Sequence, residues 1–288
     1  MKNFDENWVA LLGVKGGGAI NPHGSMPTSS LLRFNDKTIV VDCGTGVAGG
    51  IARQGVSLKI IDAVFVTHLH SDHYLDLGPL LHSAWSAGLN HRITVFGPEG
   101  TDDYWRYFLA SMRFDIDLRM ADEGRPDIAA LIDVRPLVDG VVANIGGIEV
   151  TAMRNDHPPI VDSFALRFDD GVRAVVFSGD TAYCPPLAEF AGGADLLIHE
   201  AMYPDGIERL VARVGNGDDR LRQHLYSSHT AVEDVGRIAS SAGVKALAIN
   251  HMVPKDDAAI TPEHWRIGAQ RHWNGALHIG HDGMRIAF

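Results

Sequence analysis

Ten residues, THLHSDHYLD at 67–76, hold three histidines and two aspartates and follow directly on the apolar run IDAVFV. A short apolar run closed by polar breakers reads as a β-strand. Alternate residues of a strand share a face, so His68 and His70 point toward one spot. Ser71 turns the chain, which lets Asp72 and His73 face a second spot close by. Imidazole and carboxylate are ligand types of Zn2+, and equally of Mn2+ or Fe. A solvated polar loop is the competing reading, because the chain has 15 histidines and abundance alone produces clusters. The H-x-H-x-D-H spacing immediately behind a strand points instead to metal. A metal centre needs further ligands from distant chain, so the fold must bring several strand ends together.

The sequence offers such ends. Val- and Ile-rich runs recur at 38–42, 62–68, 93–97, 148–153, 164–168, 172–180, 194–200 and 244–251, each closed by a breaker. His157 follows IEVTAMRND, Asp180 closes VRAVVFSGD, and His251 closes KALAIN. Singly, each has a structural reading: His157 fits a turn before Pro158-Pro159, and Asp180 fits a helix cap. Behind one H-x-H-x-D-H string they become candidate ligands. Residues 229–243 read as a helix, with Thr230 and Glu233 as a capping box and Val232, Val235, Ile238, Ala239 and Ala242 on one face. Gly243 stands where a helix stop is wanted. A second helix is expected over 75–85, with Gly78-Pro79 near its start. Strands and helices spread over the whole length predict a layered α/β fold in one domain, 1–288, with 115–147 as an excursion within it.

Composition narrows the partners. A formal net charge of −11, with no run of Lys and Arg, disfavours a broad nucleic-acid footprint. The two cysteines, Cys43 and Cys184, have no partner spacing, which fits a reducing, cytoplasmic setting. The opening MKNFDENWVALLGV has acidic residues before a very short apolar run, unlike a secretory leader. No apolar stretch approaches the roughly 20 residues needed to cross a bilayer, so no membrane association is expected.

H-x-H-x-D-H, a lone His157, Asp180 in S-G-D-T and a late His251 together resemble the metallo-β-lactamase-fold hydrolases. The pieces PTSSLLRFNDKTIVVDCGTG, LLIHEAM, SSHTAVEDVGRIASSAGVKALAINH and HDGMRIAF are similar to the ribonuclease Z and arylsulfatase-like branch. The resemblance covers nearly the whole chain and implies an αββα four-layer sandwich. It implies two divalent ions, Zn2+ by default with Mn2+ or Fe as alternatives. His68, His70 and His157 would hold one, Asp72, His73 and His251 the other, with Asp180 bridging. A hydroxide shared by the two ions would be the nucleophile, oriented by Asp72. Glu200 orienting His229 would supply the leaving group's proton, His199 being structural. A homodimer is also suggested.

The chain departs from ribonuclease Z in places. Only PPIVDSFALRFDDGVRAVVFSG separates His157 from Asp180, too little for the arm that clamps tRNA in that branch. HEAM replaces HEAT, and MVPKDD follows the late histidine. These changes leave the ligands intact and move the expected substrate to a small molecule with a phosphodiester, sulfate ester, carboxylic ester or lactone bond. A tRNA 3′ endonuclease is the alternative, and a metal-bound sensor without turnover a second. The Gly-rich stretch 14–24 either lines the site, cradles an anion or forms a mobile loop. Asp42 is expected to support the ligands from behind, and Trp85, Trp105 and Trp273 to be core or rim residues.

Overall fold

The structure is a computed structural model and describes residues 7–288, so the part of the N-terminal reading that falls on 1–6 lies outside the described residues. One sheet takes β1 (Trp8–Gly13), β2 (Ser29–Phe34), β3 (Lys37–Cys43), β4 (Ala63–Phe65), β5 (Ile93–Gly97) and β6 (Ile132–Pro136). The other takes β7 (Gly140–Ile145), β8 (Ile148–Arg154), β9 (Phe164–Asp169), β10 (Ala174–Phe177), β11 (Leu196–Met202), β12 (Ala246–Val253) and β13 (Ala276–Ile279). The last strand, β14 (Met284–Ala287), returns to the first sheet beside β1. Each sheet is seven-stranded, in the orders β14-β1-β2-β3-β4-β5-β6 and β13-β12-β11-β10-β9-β8-β7.

The helices are α1 (Val47–Arg53), α2 (Ser71–Tyr74), α3 (Leu77–Ser86), α4 (Thr101–Glu123), α5 (Ile128–Leu131), α6 (Pro186–Phe190), α7 (Pro204–Val214), α8 (Arg220–Ser228), α9 (Val232–Ala242) and α10 (Pro262–Gln270). Side-chain alternation on the strands explains the layering. Ile39, Val41 and Phe65 face inward and pack with Val150, Phe168 and Val175 between the sheets. Their neighbours Val40, Val64 and Val66 face outward, against Leu80, Trp85 and Trp105 of the first helical layer. Val176, Leu197 and Leu247 do the same against α6, α9 and α10 on the far side. The result is an αββα four-layer sandwich. Among the described residues no helix is long and apolar enough to cross a membrane, and both cysteines are free.

Two expectations need correction. The chain does form a helix at Val232–Ala242, with the apolar face buried and Gly243 left-handed at its end. Its cap, however, is Ala231, and no side chain caps it. Thr230 and Glu233 are occupied elsewhere: the Thr230 hydroxyl donates to the Thr181 carbonyl, and Glu233 pairs with Arg271. Residues 115–147 are no excursion either. They finish α4, form α5, add edge strand β6 to one sheet and begin the other with β7.

Candidate metal centre

Parallel pairing sets the site at one end of both sheets, because β3, β4, β5 and β6 run together, as do β10, β11, β12 and β13. The loops leaving β4, β8 and β10 carry His68 to His73, His157 and Asp180, and β12 itself carries His251. After β4 the backbone stays extended through His70 and then enters α2, which puts Asp72 and His73 in a helical turn. The two halves of the motif therefore face different points, as the sequence suggests.

The donor atoms converge in two groups. His68 Nε2 and His157 Nε2 lie 3.1 and 3.0 Å from His70 Nδ1. Asp72 Oδ2 lies 3.2 Å from His251 Nε2 and 3.6 Å from His73 Nε2. Asp180 Oδ2 stands between the groups, 3.0 Å from His251, 3.2 Å from His73, 3.8 Å from His68 and 4.0 Å from His157. Four ligands held tetrahedrally at about 2.0–2.1 Å lie roughly 3.3–3.5 Å from one another, a spacing that the distances here, from 3.0 to 4.0 Å, bracket. Buried polar atoms with no hydrogen-bond partner include His73 Nε2 and Asp180 Oδ1. His70 Nδ1 can donate its one proton to only one of the two facing nitrogens, so with neutral rings the other pair brings lone pairs together, which a cation would relieve. The residues fit a pair of divalent ions.

Electrostatics divides the histidines. Burial pushes His70 and His157 down to about 4, and for His70 the neighbouring His157 adds to it. His68 is lowered by burial and by His73. These three rings are neutral, as ligands must be. Burial would lower His251 too, but Asp180 and Asp72 overcome it and hold the ring up at about 10. His73 is likewise raised against burial, by Asp180, Asp42 and Asp72. Burial would raise Asp72, yet His73 and His251 hold it well below the usual carboxylate range. The carboxylates thus form an anionic cradle that takes positive charge from protons or from metal.

Outer contacts fix the rings. His73 Nδ1 donates to Asp42 Oδ2 at 2.8 Å, and His157 Nδ1 to the Ser228 carbonyl at 2.9 Å. Thr67 donates its hydroxyl to Asp42, so it accepts from His68 Nδ1 at 3.1 Å. Such partners choose the tautomer that leaves the inner nitrogen free. His251 is aimed by a bulge: β12 pairs Asn250 with Glu200 and Met252 with Ala201, skipping His251, whose φ is 36°.

The Gly-rich stretch lines the site. Gly17 N–H donates to Asp72 Oδ2 at 2.7 Å, and Lys15 Nζ binds the Gly17 and Ala19 carbonyls. A Cβ on Gly16 would lie 2.7 Å from His251 Cε1, so only glycine lets that ring approach. Glu200 is buried at the end of β11, its Oε1 accepting from Thr230 N at 2.9 Å and lying 3.4 Å from His229 Nδ1. His229 also comes close enough to share an ion with Asp180 and His251. His199 turns away and bonds the Glu200 carbonyl. Beside the ligands opens a cavity of about 340 Å3, lined by Lys15, Asp72, His229 and His251 among others.

Residues 10–233 match the family model described as Anti-Pycsar protein Apyc1. The chain belongs to that family. It is also 33% identical over 281 residues to a ribonuclease Z from Mycolicibacterium paratuberculosis, covering 96% of this chain and 97% of the relative. Among solved structures, the metallo-β-lactamase-fold protein YhfI from Bacillus subtilis superposes with a TM-score of 0.74 at 22% identity, covering 99% of this chain and all of that one. Human tRNase Z, short form, superposes with a TM-score of 0.68 at 18% identity, covering 97% and 98%. The chain is a metal-dependent hydrolase of the metallo-β-lactamase superfamily.

All seven expected ligand residues converge, and Glu200 and His229 meet beside them. His224, which the sequence does not mark as a site residue, also lines the cavity from α8, with its ring centroid 5.7 Å from that of His70. It lies within a helix, away from the strand ends that carry the expected histidine ligands.

Proposed function

We propose that the chain cleaves a phosphodiester bond in a small molecule, using two divalent ions. The reading rests on two donor groups that share Asp180 Oδ2 and open onto one cavity of about 340 Å3. That volume is at the low end of small-molecule sites, roughly 300–1,000 Å3. Ribonuclease Z, by its name, acts on RNA, whose backbone bond is a phosphodiester, and the shared ligands support the same bond here.

When bound, two divalent ions supply a water acidified toward neutrality and neutralise charge on the phosphoryl oxygens. Zn2+ suits the imidazole-rich donor set. Asp72 and Asp180 contribute the negative charge that holds them, and Gly17 N–H fixes which Asp72 oxygen turns inward. His229 gives the leaving oxygen its proton, and Glu200, anchored by the Thr230 amide, orients the ring. No serine or cysteine nucleophile is required.

Ribonuclease Z-type tRNA cleavage is the second reading, favoured by the 33% identity over nearly the full chain. Against it, β9 and β10 close in a tight hairpin at 170–173, with no arm between His157 and Asp180 to hold a tRNA. The charge of −11 also opposes a polyanion. The test is a panel on zinc- or manganese-loaded protein: bis(p-nitrophenyl) phosphate, nucleoside cyclic phosphates as the smallest phosphodiesters bearing a base, an aryl sulfate, a lactone and precursor tRNA. Phosphodiesters should turn over fastest. Faster sulfate or lactone hydrolysis would overturn the bond assignment, and efficient tRNA 3′ trimming the substrate size.

A further inference from the structure

The α7–α8 hairpin gives the cavity a wall unlike the metal side. Leu210 and Val214 stand one turn apart on α7, and Leu221 and Leu225 one turn apart on α8, and all four line the cavity. The wall is the open flank of a small apolar cluster: Leu210 and Leu221 pack on Ile207, Leu225, Met202 and Val253, while Val214 is 56% exposed. The hairpin is braced in place, with Arg222 reaching back to both carboxylate oxygens of Glu208 and Arg209 bonding Asp257. The cavity is therefore divided, with imidazoles and carboxylates at its metal end and aliphatic side chains along the hairpin.

His224 stands where the two halves meet. Ser228 donates its hydroxyl to the Pro158 carbonyl at 2.5 Å, so it accepts from His224 Nδ1 at 3.2 Å. Among the described residues His224 Nε2 has no partner. The ring lies 6.1 Å, centroid to centroid, from both His157 and His229, too far back to be a ligand and near enough to touch whatever reaches the metals.

We propose that the hairpin is a subsite for an aromatic or heteroaromatic ring attached to the reacting phosphoryl group, with His224 packing against it at the inner end. The proposal rests on the phosphodiester reading for its reacting group and adds the chemistry of the substituent. An aliphatic wall rewards an apolar group, and the edges and faces of imidazoles reward an aromatic one. Remote contacts of this kind supply binding energy that the reacting centre cannot.

The test uses two phosphonates that are not hydrolysed, phenylphosphonate and methylphosphonate, titrated into the metal-loaded protein by calorimetry. The phenyl compound should bind about tenfold tighter or more, as burial of one ring implies. Leu221→Asn and Val214→Asp should each bring the affinity ratio toward one. Val214 is exposed, so its replacement tests the wall without touching the core. Equal affinity in the unaltered protein, binding of neither compound, or a ratio that both variants leave unchanged overturns the subsite. Tight phenylphosphonate binding in a protein that cleaves no phosphodiester would leave the subsite standing and remove the reaction assignment instead.

Discussion

Asp180 Oδ2 lies 3.0 Å from His251 Nε2, and both side chains are buried. The same oxygen is 3.8 Å from His68, which belongs to the other donor group. One carboxylate oxygen therefore serves both groups, and its charge would offset the repulsion between two dications held by them. Asp180→Asn keeps the shape and removes the charge. Metal analysis should then find about one ion per chain instead of two, and hydrolysis should fall roughly 10³-fold. A variant that still holds two ions would refute the bridging assignment.

The raised histidines make metal binding a proton exchange. Without an ion, His251, held at about 10, and His73, held above its ordinary value, both carry a proton near neutral pH. An entering ion must expel them, so affinity weakens as pH falls. Zinc titrated at pH 7 into chelated protein should release about two protons, read from heats in buffers of different ionisation enthalpy. Release of none would contradict the anionic cradle.

The same shifts set the stability of the metal-free chain, and the signs differ by residue type. His251 rises from about 6.5 to about 10 on folding, so its stabilisation is complete below about 6.5 and is lost as pH climbs through 10. Asp72 and Asp180 are lowered, so theirs is present above the ordinary carboxylate value and lost on acidification. Thermal unfolding of chelated protein should show a melting temperature that drops between pH 7 and pH 10. A flat or rising profile would contradict the shift at His251.

Much of this was legible in the sequence because period-2 burial and strand-end polar residues leave local signatures. The expected strand at 93–97 is β5 residue for residue, and Gly243 ends its helix as expected. What was hidden has physical reasons. Helix α4 is 23 residues long but buries only Thr101, Trp105 and Ile116 among them, so its apolar period is faint and Arg–Asp and Arg–Glu pairs one turn apart dominate its surface. The Thr230–Glu233 box failed because a buried Thr181 carbonyl and an Arg271 side chain, both distant in sequence, competed for the two groups. The bulge that aims His251 depends on the pairing of two strands, which no local pattern records.

Glu200 and His229 make separable predictions about proton transfer. His229→Ala should slow esters with poor leaving groups by roughly 10²–10⁴-fold and p-nitrophenyl esters far less, since p-nitrophenolate departs without a proton. Glu200→Gln should show the same pattern more weakly, because it orients the ring and does not itself meet the leaving oxygen. His229 is also within reach of the ion site of Asp180 and His251. An equal loss on both ester types, accompanied by lost metal, would make His229 a ligand and not a donor.

Gly16 and Gly17 are adjacent but predict opposite outcomes. A Cβ on Gly16 would lie 2.5 Å from Val253 Cγ2, 2.7 Å from His251 Cε1 and 3.0 Å from His251 Nδ1. Gly16→Ala must push the His251 ring off its position, which should weaken the ion held with Asp72 and His73 by roughly 10–100-fold, the scale of disturbed ligand orientation. The ion held by His68, His70 and His157 should stay. Gly17 has φ 87° and nothing within 4 Å of a Cβ, so Gly17→Ala costs about 1–2 kcal/mol of backbone strain without touching His251. Metal titrations on both variants beside thermal unfolding separate the two effects. Equal metal affinities in the two variants would mean that the tight approach of Gly16 does not position His251.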